Sequence, residues 1–144
     1  MKKLSLFLSA LLISMMSFAT TYTHTFKSGE LKVGTVTLSG TSWTGAGTVG
    51  YWGWDGSKGI QIGSKNNPCK SYSLTTSAFA DATITEVVVN TSMASSATAK
   101  LSISVGGTSY LSNKALTTSA ANYTATGAAS GDLVISYTNT ARAF

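Results

Sequence analysis

The chain has 144 residues, a formal net charge of +5 and only 10% charged residues, with one cysteine and one histidine. A chain of this length forms one domain around one hydrophobic core. A single cysteine excludes an internal disulfide, and five acidic residues with one histidine are a meagre supply for general acid–base catalysis. The basic residues are scattered singly along the sequence, so no nucleic-acid partner is expected, because such a surface needs a basic patch.

The first predicted element is a secretory signal peptide over residues 1–19. Lys2 and Lys3 give a basic start, residues 4–16 are mostly apolar, and Ser17-Phe18-Ala19 has the small-x-small pattern of a cleavage site. The apolar run is shorter than the roughly 20 residues that a membrane span requires. We therefore expect cleavage after Ala19 and export, to the cell surface or beyond, of a domain over residues 20–144 that has no membrane span. Without Lys2 and Lys3 its formal charge falls from +5 to +3.

The exported part is predicted to be a series of short strands separated by turns. It is rich in serine, threonine and glycine, and no segment of it shows a sustained helical period of apolar residues. Strands are predicted over residues 22–26, 33–38, 50–54, 59–62, 72–75, 84–89, 100–105, 108–111, 123–126 and 132–138. Many short strands at this spacing indicate an all-β fold, an antiparallel β-sandwich or a barrel.

Three of these strands have the clearest patterns. Residues 100–105 alternate polar and apolar, and Gly106-Gly107 then predicts a tight hairpin turn. Residues 132–138 are predicted to place Leu133, Ile135 and Tyr137 on one side of a strand. Residues 84–89 form a nearly continuous run of β-branched side chains, which predicts a central strand covered on both faces.

Residues 45–50, Gly-Ala-Gly-Thr-Val-Gly, have the G-x-G-x-x-G spacing of a dinucleotide-binding loop. Such a loop must precede a helix, because the helix N-terminus binds the pyrophosphate. Here residues 51–56 predict a strand and a turn, and no lysine follows Gly50. We therefore expect no cofactor and interpret these glycines as turn residues that lead into a strand.

The remaining reactive residues suggest no catalytic or metal site. Cys69 is expected to be a small buried hydrophobe, and His24 lies near the start of the exported part, where chains are commonly mobile. The five acidic residues, Glu30, Asp55, Asp81, Glu86 and Asp132, show no pairing across a cleft. Asp55, Asp81 and Asp132 lie at expected strand edges or turns, where their carboxylates are expected to make hydrogen bonds. We expect no enzyme activity; a Ca²⁺ ion held mainly by backbone carbonyls would leave no trace in the sequence.

The aromatic residues after Gly50 are the best candidates for a binding site. On a strand, Trp52 and Trp54 share one face, and Tyr51 and Gly53 share the other. Two interpretations stay open: the tryptophans are core residues, or they form an exposed apolar strip on which sugar rings stack. In the second interpretation the candidate ligand-binding residues are the aromatic Tyr51, Trp52 and Trp54 and the polar Asp55, Lys58 and Gln61.

Three stretches, residues 50–64, 67–76 and 130–138, carry a resemblance to a known family. They resemble a β-sandwich accessory module of secreted proteins from Gram-negative gut bacteria, and the resemblance spans nearly the whole exported part. It implies a jelly-roll-like sandwich that stands alone or beside a catalytic domain such as a nuclease. It also implies a non-catalytic module without a defined ligand, and it supplies no catalytic residue.

One departure from the family concerns the end of the chain. In the family a final apolar strand follows the Ile135-Ser136-Tyr137-Thr138 strand, whereas this chain stops at Phe144. We therefore expect the domain to lack its last strand, as a fragment would. The strand over residues 22–26 would then have an open edge that could pair with another chain.

The sequence thus predicts a secreted, non-catalytic module that binds carbohydrate or another cell-surface polymer. The alternative is a structural or spacer module that has core aromatics and no small ligand. An independent hydrolase is the least supported, since no nucleophile has an evident base.

Overall fold

The computed structural model describes residues 19–64 and 66–140. Residues 1–18, all but the last residue of the predicted signal peptide (residues 1–19), and residues 141–144 lie outside the described residues. The described part contains ten strands and no helix, and hence no helix that could cross a membrane. The strands are β1 (Gly34–Leu38), β2 (Thr41–Thr48), β3 (Trp52–Asp55), β4 (Gly59–Ile62), β5 (Ser71–Thr76), β6 (Ile84–Thr91), β7 (Ala99–Val105), β8 (Thr108–Ala115), β9 (Ala121–Ala129) and β10 (Leu133–Asn139).

The strands form three antiparallel sheets, which confirms the all-β prediction. The largest sheet has six strands in the order β1-β2-β5-β10-β7-β8. Strands β3 and β4 pair only with each other, as do β6 and β9. The hairpin predicted at Gly106-Gly107 joins β7 to β8, with Val105 opposite Thr108.

The core lies on one face of the six-stranded sheet. Alternation along β7 buries Leu101, Ile103 and Val105, and the serines between them point to the other face. Tyr123 and Ala125 of β9 belong to the same buried cluster, so the β6–β9 pair covers this face as a second layer. The arrangement is that of a β-sandwich.

Strand β2 replaces the turn that was predicted from the glycines. Gly45 is a buried residue of this strand, and its neighbours leave no room for a side chain. A Cβ atom there would overlap the carbonyl oxygen of Lys32 and the hydroxyl of Tyr72. Gly47 also lies within β2. The interpretation of these two glycines as turn residues was therefore wrong.

Residues 22–26 form no strand, contrary to prediction. They are attached to the sheet through side chains: the Tyr22 ring lies 5.1 Å from that of Phe79, and its hydroxyl donates to the Leu38 carbonyl. The prediction for β6 was also wrong. This strand pairs only with β9, and its Val88 is exposed, because β-branched residues suit an outer strand as well as a central one.

Candidate functional site

The aromatic candidates lie on the β3–β4 hairpin, which continues the paired strands β2 and β5 outward. Backbone hydrogen bonding between the two sides of the hairpin resumes beyond the end of β2, where the Gly63 amide donates to the Tyr51 carbonyl at 2.8 Å. The tip is a tight turn in which the Lys58 amide donates to the Asp55 carbonyl at 3.1 Å. Gly59 follows with φ +89°, a left-handed conformation that glycine adopts without strain.

The two faces of this hairpin carry different aromatic residues, as the alternation predicts. Trp52 lies opposite Ile62, and Trp54 lies opposite Ile60, so these four side chains share one face. The Tyr51 ring lies over the other face, where a Cβ atom on Gly53 would come within 2.8 Å of it. Tyr51 therefore cannot extend a surface made by the tryptophans.

Trp52 and Trp54 differ in burial, although they share a face. The Trp52 ring is half-buried and packs edge-on against Tyr72, with 5.2 Å between the ring centroids. Trp54 stands nearer the tip and is 44% exposed. One tryptophan therefore anchors the hairpin to the core, and the other is displayed.

A shallow groove runs between this face and the segment that precedes β1. Trp52, Trp54 and Ile60 form one side, and Ser28, Gly29 and Leu31 form the other. Its volume is about 170 Å³, below the roughly 300–1,000 Å³ of a pocket that encloses a small ligand. The groove has room for part of an extended molecule.

The polar candidates do not gather around this groove. Asp55 Oδ1 accepts hydrogen bonds from the Ser57 hydroxyl at 2.6 Å and from the Ser57 and Lys58 amides, and these bonds lower its pKa. Gln61 lies opposite Gly53 and donates to the Gly63 carbonyl at 2.9 Å. Asp55 and Gln61 therefore stabilise the hairpin, and Lys58 is exposed at its tip.

Sequence reasoning missed a cluster of three side chains beside the β1–β2 turn. His24 Nδ1 lies 2.9 Å from Ser39 Oγ, and His24 Nε2 lies 3.0 Å from Glu30 Oε2. The Lys27 amide donates to the same Glu30 oxygen at 2.5 Å and is the main cause that lowers the pKa of this carboxyl, with His24 a further cause. No spacing rule brings these three residues together.

The other side chains with potential for reactivity or metal binding are those of cysteine, histidine, aspartate and glutamate. Cys69 is buried, as expected, and burial raises the pKa of its thiol. Within residues 19–64 and 66–140, no group of three or more histidine, cysteine, aspartate or glutamate side chains is placed to hold a metal ion.

Comparison with known proteins returned no matching family model, no matching curated protein and no matching solved structure.

Proposed function

We propose that the chain is an exported β-sandwich module, jelly-roll-like in topology, that binds a carbohydrate polymer through Trp54. The observation that carries the proposal is the exposed Trp54 ring beside an open groove that Leu31 and Ile60 also line. Export is inferred from the pattern of residues 1–19. At this hairpin the module binds without catalysis, because its one carboxylate, Asp55, is engaged in the turn.

The shape and chemistry of the groove favour a neutral sugar ring. The apolar face of a sugar stacks on an exposed indole, and the contact between Trp52 and Tyr72 holds the strand that carries Trp54 against the core. No charged side chain lines the groove, whereas Ser28 and the backbone at Gly29 can hydrogen-bond to ring hydroxyls. An open groove admits a ring within a long chain.

The second candidate function is a spacer module with no ligand of its own. It is favoured by the half-buried Trp52, which serves packing, and by Asp55, which serves the turn. In that case the exposed Trp54 has no partner, and the two candidates differ in one measurable property, the binding of glycans.

The test is a glycan array probed with residues 20–144 and three variants. We expect the wild type to bind a set of neutral glycans and Trp54→Ala to lose at least about tenfold in affinity, or about 1.4 kcal/mol. Tyr51→Ala removes an equally exposed aromatic ring from the opposite face (43% against 44%), and Val88→Ala alters a distant exposed position. Both controls should retain binding.

Two results would overturn the proposal. One is a wild type that binds no glycan on the array, which would favour the spacer. The other is equal binding by Trp54→Ala and wild type, which would move the site away from the groove.

A further inference from the structure

We propose that Ser39, His24 and Glu30 form a second site, which hydrolyses short-chain carboxylic esters by acyl transfer to the Ser39 hydroxyl. The inference does not depend on glycan binding. It departs from the expectation that the chain has no enzyme activity, which was based on the small number of acidic residues and on the lack of a nucleophile with an evident base. The structure gives that histidine two partners, a hydroxyl and a carboxylate.

The geometry is that of a nucleophile, a base and a group that orients the base. The distance from Ser39 Oγ to His24 Nδ1 is 2.9 Å, and the distance from His24 Nε2 to Glu30 Oε2 is 3.0 Å. Both are hydrogen-bond distances, the criterion that identifies such an arrangement in unrelated folds. The imidazole is turned relative to the commonest triads, so that Nδ1 faces the hydroxyl and Nε2 faces the carboxylate.

The burial of the three side chains suits these roles. The His24 side chain is only 9% exposed and packs edge-on against Phe26 at 4.8 Å between ring centroids, which fixes the imidazole. Glu30 is 24% exposed, and the Lys27 amide holds its carboxylate in place. Ser39 is exposed at a turn and can therefore be reached by a substrate.

The backbone at Ser39 is a second, independent observation. Ser39 and Gly40 form the two-residue β1–β2 turn with φ values of +44° and +77°. Such a turn favours asparagine and glycine, so a serine at its first position is strained, and strain of this kind is concentrated at functional sites. In the described part of the chain, no hydrogen bond engages the Gly40 amide. An amide directly after the nucleophile commonly stabilises the oxyanion in hydrolases.

The first half of the reaction transfers the acyl group to the protein. In the starting state the imidazole is neutral and its Nε2–H donates a hydrogen bond to Glu30. Nδ1 can then accept the Ser39 hydroxyl proton, which otherwise hydrogen-bonds to the Thr23 carbonyl at 3.1 Å. Ser39 Oγ forms a bond to the ester carbonyl carbon. The tetrahedral intermediate then expels the alkoxide, which takes the proton from Nδ1 and leaves as an alcohol.

The second half of the reaction releases the acid. Nδ1 takes a proton from a water molecule, and the water oxygen bonds to the acyl carbon. The bond from that carbon to Ser39 Oγ breaks, Oγ recovers the proton from Nδ1, and the carboxylic acid departs. The exposed turn provides no enclosed pocket for a long acyl chain, so the site suits acetyl and similar short esters.

The test is covalent labelling of residues 20–144 with a fluorophosphonate probe, located by mass spectrometry of peptides. Labelling joins Oγ to phosphorus and expels fluoride. We expect one label per chain, on Ser39, and hydrolysis of p-nitrophenyl acetate by the unlabelled protein. His24→Ala should abolish both reactions, and Glu30→Gln should slow them at least tenfold.

Two further variants keep the result interpretable. Ser39→Gly removes the hydroxyl but suits the positive φ, so the turn still forms and the labelling should vanish. Ser57→Ala is the matched control. Ser57 is an exposed turn serine that lies 2.6 Å from a carboxylate oxygen of Asp55, and its Oγ hydrogen-bonds only to that carboxylate among the described residues. This variant should react like the wild type.

The proposal is overturned if the wild type takes no label, if the label falls on another serine, or if Ser39→Gly hydrolyses the ester as fast as the wild type. In each case the three side chains serve only to attach residues 22–30 to the β1–β2 turn.

Discussion

Trp52 and Trp54 show how two like residues on one face acquire different roles. Trp52 lies at the inner end of the hairpin, where Tyr72 packs against its ring. Trp54 is two residues farther out, beyond the reach of the core, and stays exposed. Burial of the first indole stabilises the hairpin, and exposure of the second leaves an apolar surface for a ligand.

Gly45 is the residue at which the smallest change should have the largest structural effect. In Gly45→Ala the new methyl group would overlap the Lys32 carbonyl and the Tyr72 hydroxyl and would disturb the 3.0 Å hydrogen bond between them. We expect the free energy of unfolding to fall by about 2 kcal/mol or more, as overpacking in a core does. Urea unfolding followed by tryptophan fluorescence measures it.

Gly56→Ala provides the matched control. A Cβ atom at Gly56 would meet nothing within 4 Å, so its stability should change by less than about 0.5 kcal/mol. Equal stability of the two variants would contradict the account of Gly45.

At the scale of elements, the β3–β4 hairpin depends on Asp55 for its turn. In Asp55→Ala three hydrogen bonds to Oδ1 are lost, so the tip should fray. We expect faster amide hydrogen exchange confined to residues 52–62, with little change in the midpoint of global unfolding, because the core lies elsewhere.

Asp55→Asn is the control for this element, since its amide oxygen still accepts hydrogen bonds. It should exchange more slowly than Asp55→Ala. If Asp55→Ala left exchange in the hairpin unchanged, Asp55 would be free for a role in binding, as the sequence suggested.

At the scale of the whole molecule, the buried Tyr72 and the half-buried Tyr137 link stability to alkaline pH. Tyr72 and Tyr137 lie opposite each other on β5 and β10, and burial raises the pKa of each to about 12. In the unfolded chain tyrosine ionises near pH 10, so the unfolded state loses these protons first. These two tyrosines therefore leave stability unchanged below about pH 10 and should lower it between about pH 10 and 12.

Urea unfolding at several pH values, with tyrosinate absorbance at 295 nm, measures this effect. Tyr137→Phe should flatten the decline by removing one of the two groups, and it spares the hydrogen bond from Tyr72 to Lys32. Full ionisation of the tyrosines in the folded protein at pH 11 would contradict the prediction.

The sequence predicted those parts of the molecule that depend on local pattern. The β7–β8 hairpin follows from alternation and from Gly106-Gly107, and the inward face of β10 follows from its period of two. Strand β2 was missed because its only large apolar residue is Trp43, and because the need for Gly45 comes from Tyr72 on another strand.

The candidate sites were less predictable, since they depend on packing between distant segments. Alternation gave Trp52 and Trp54 a common face, but only the position of Tyr72 decides which of them is buried. The contacts of His24 with Glu30 and Ser39 arise from a segment without regular structure that folds against a turn. No sequence pattern describes such a contact.

The most direct test of the central claim, that Trp54 presents the binding surface, is an NMR titration of the indole N–H signals. The exposure of the three tryptophans increases from the buried Trp43, through the half-buried Trp52, to the exposed Trp54. The probe is the neutral oligosaccharide that gives the strongest signal on the glycan array. We predict the largest shift at Trp54, a smaller one at Trp52 and none at Trp43. An unchanged Trp54 signal at a saturating concentration of the oligosaccharide would contradict the account.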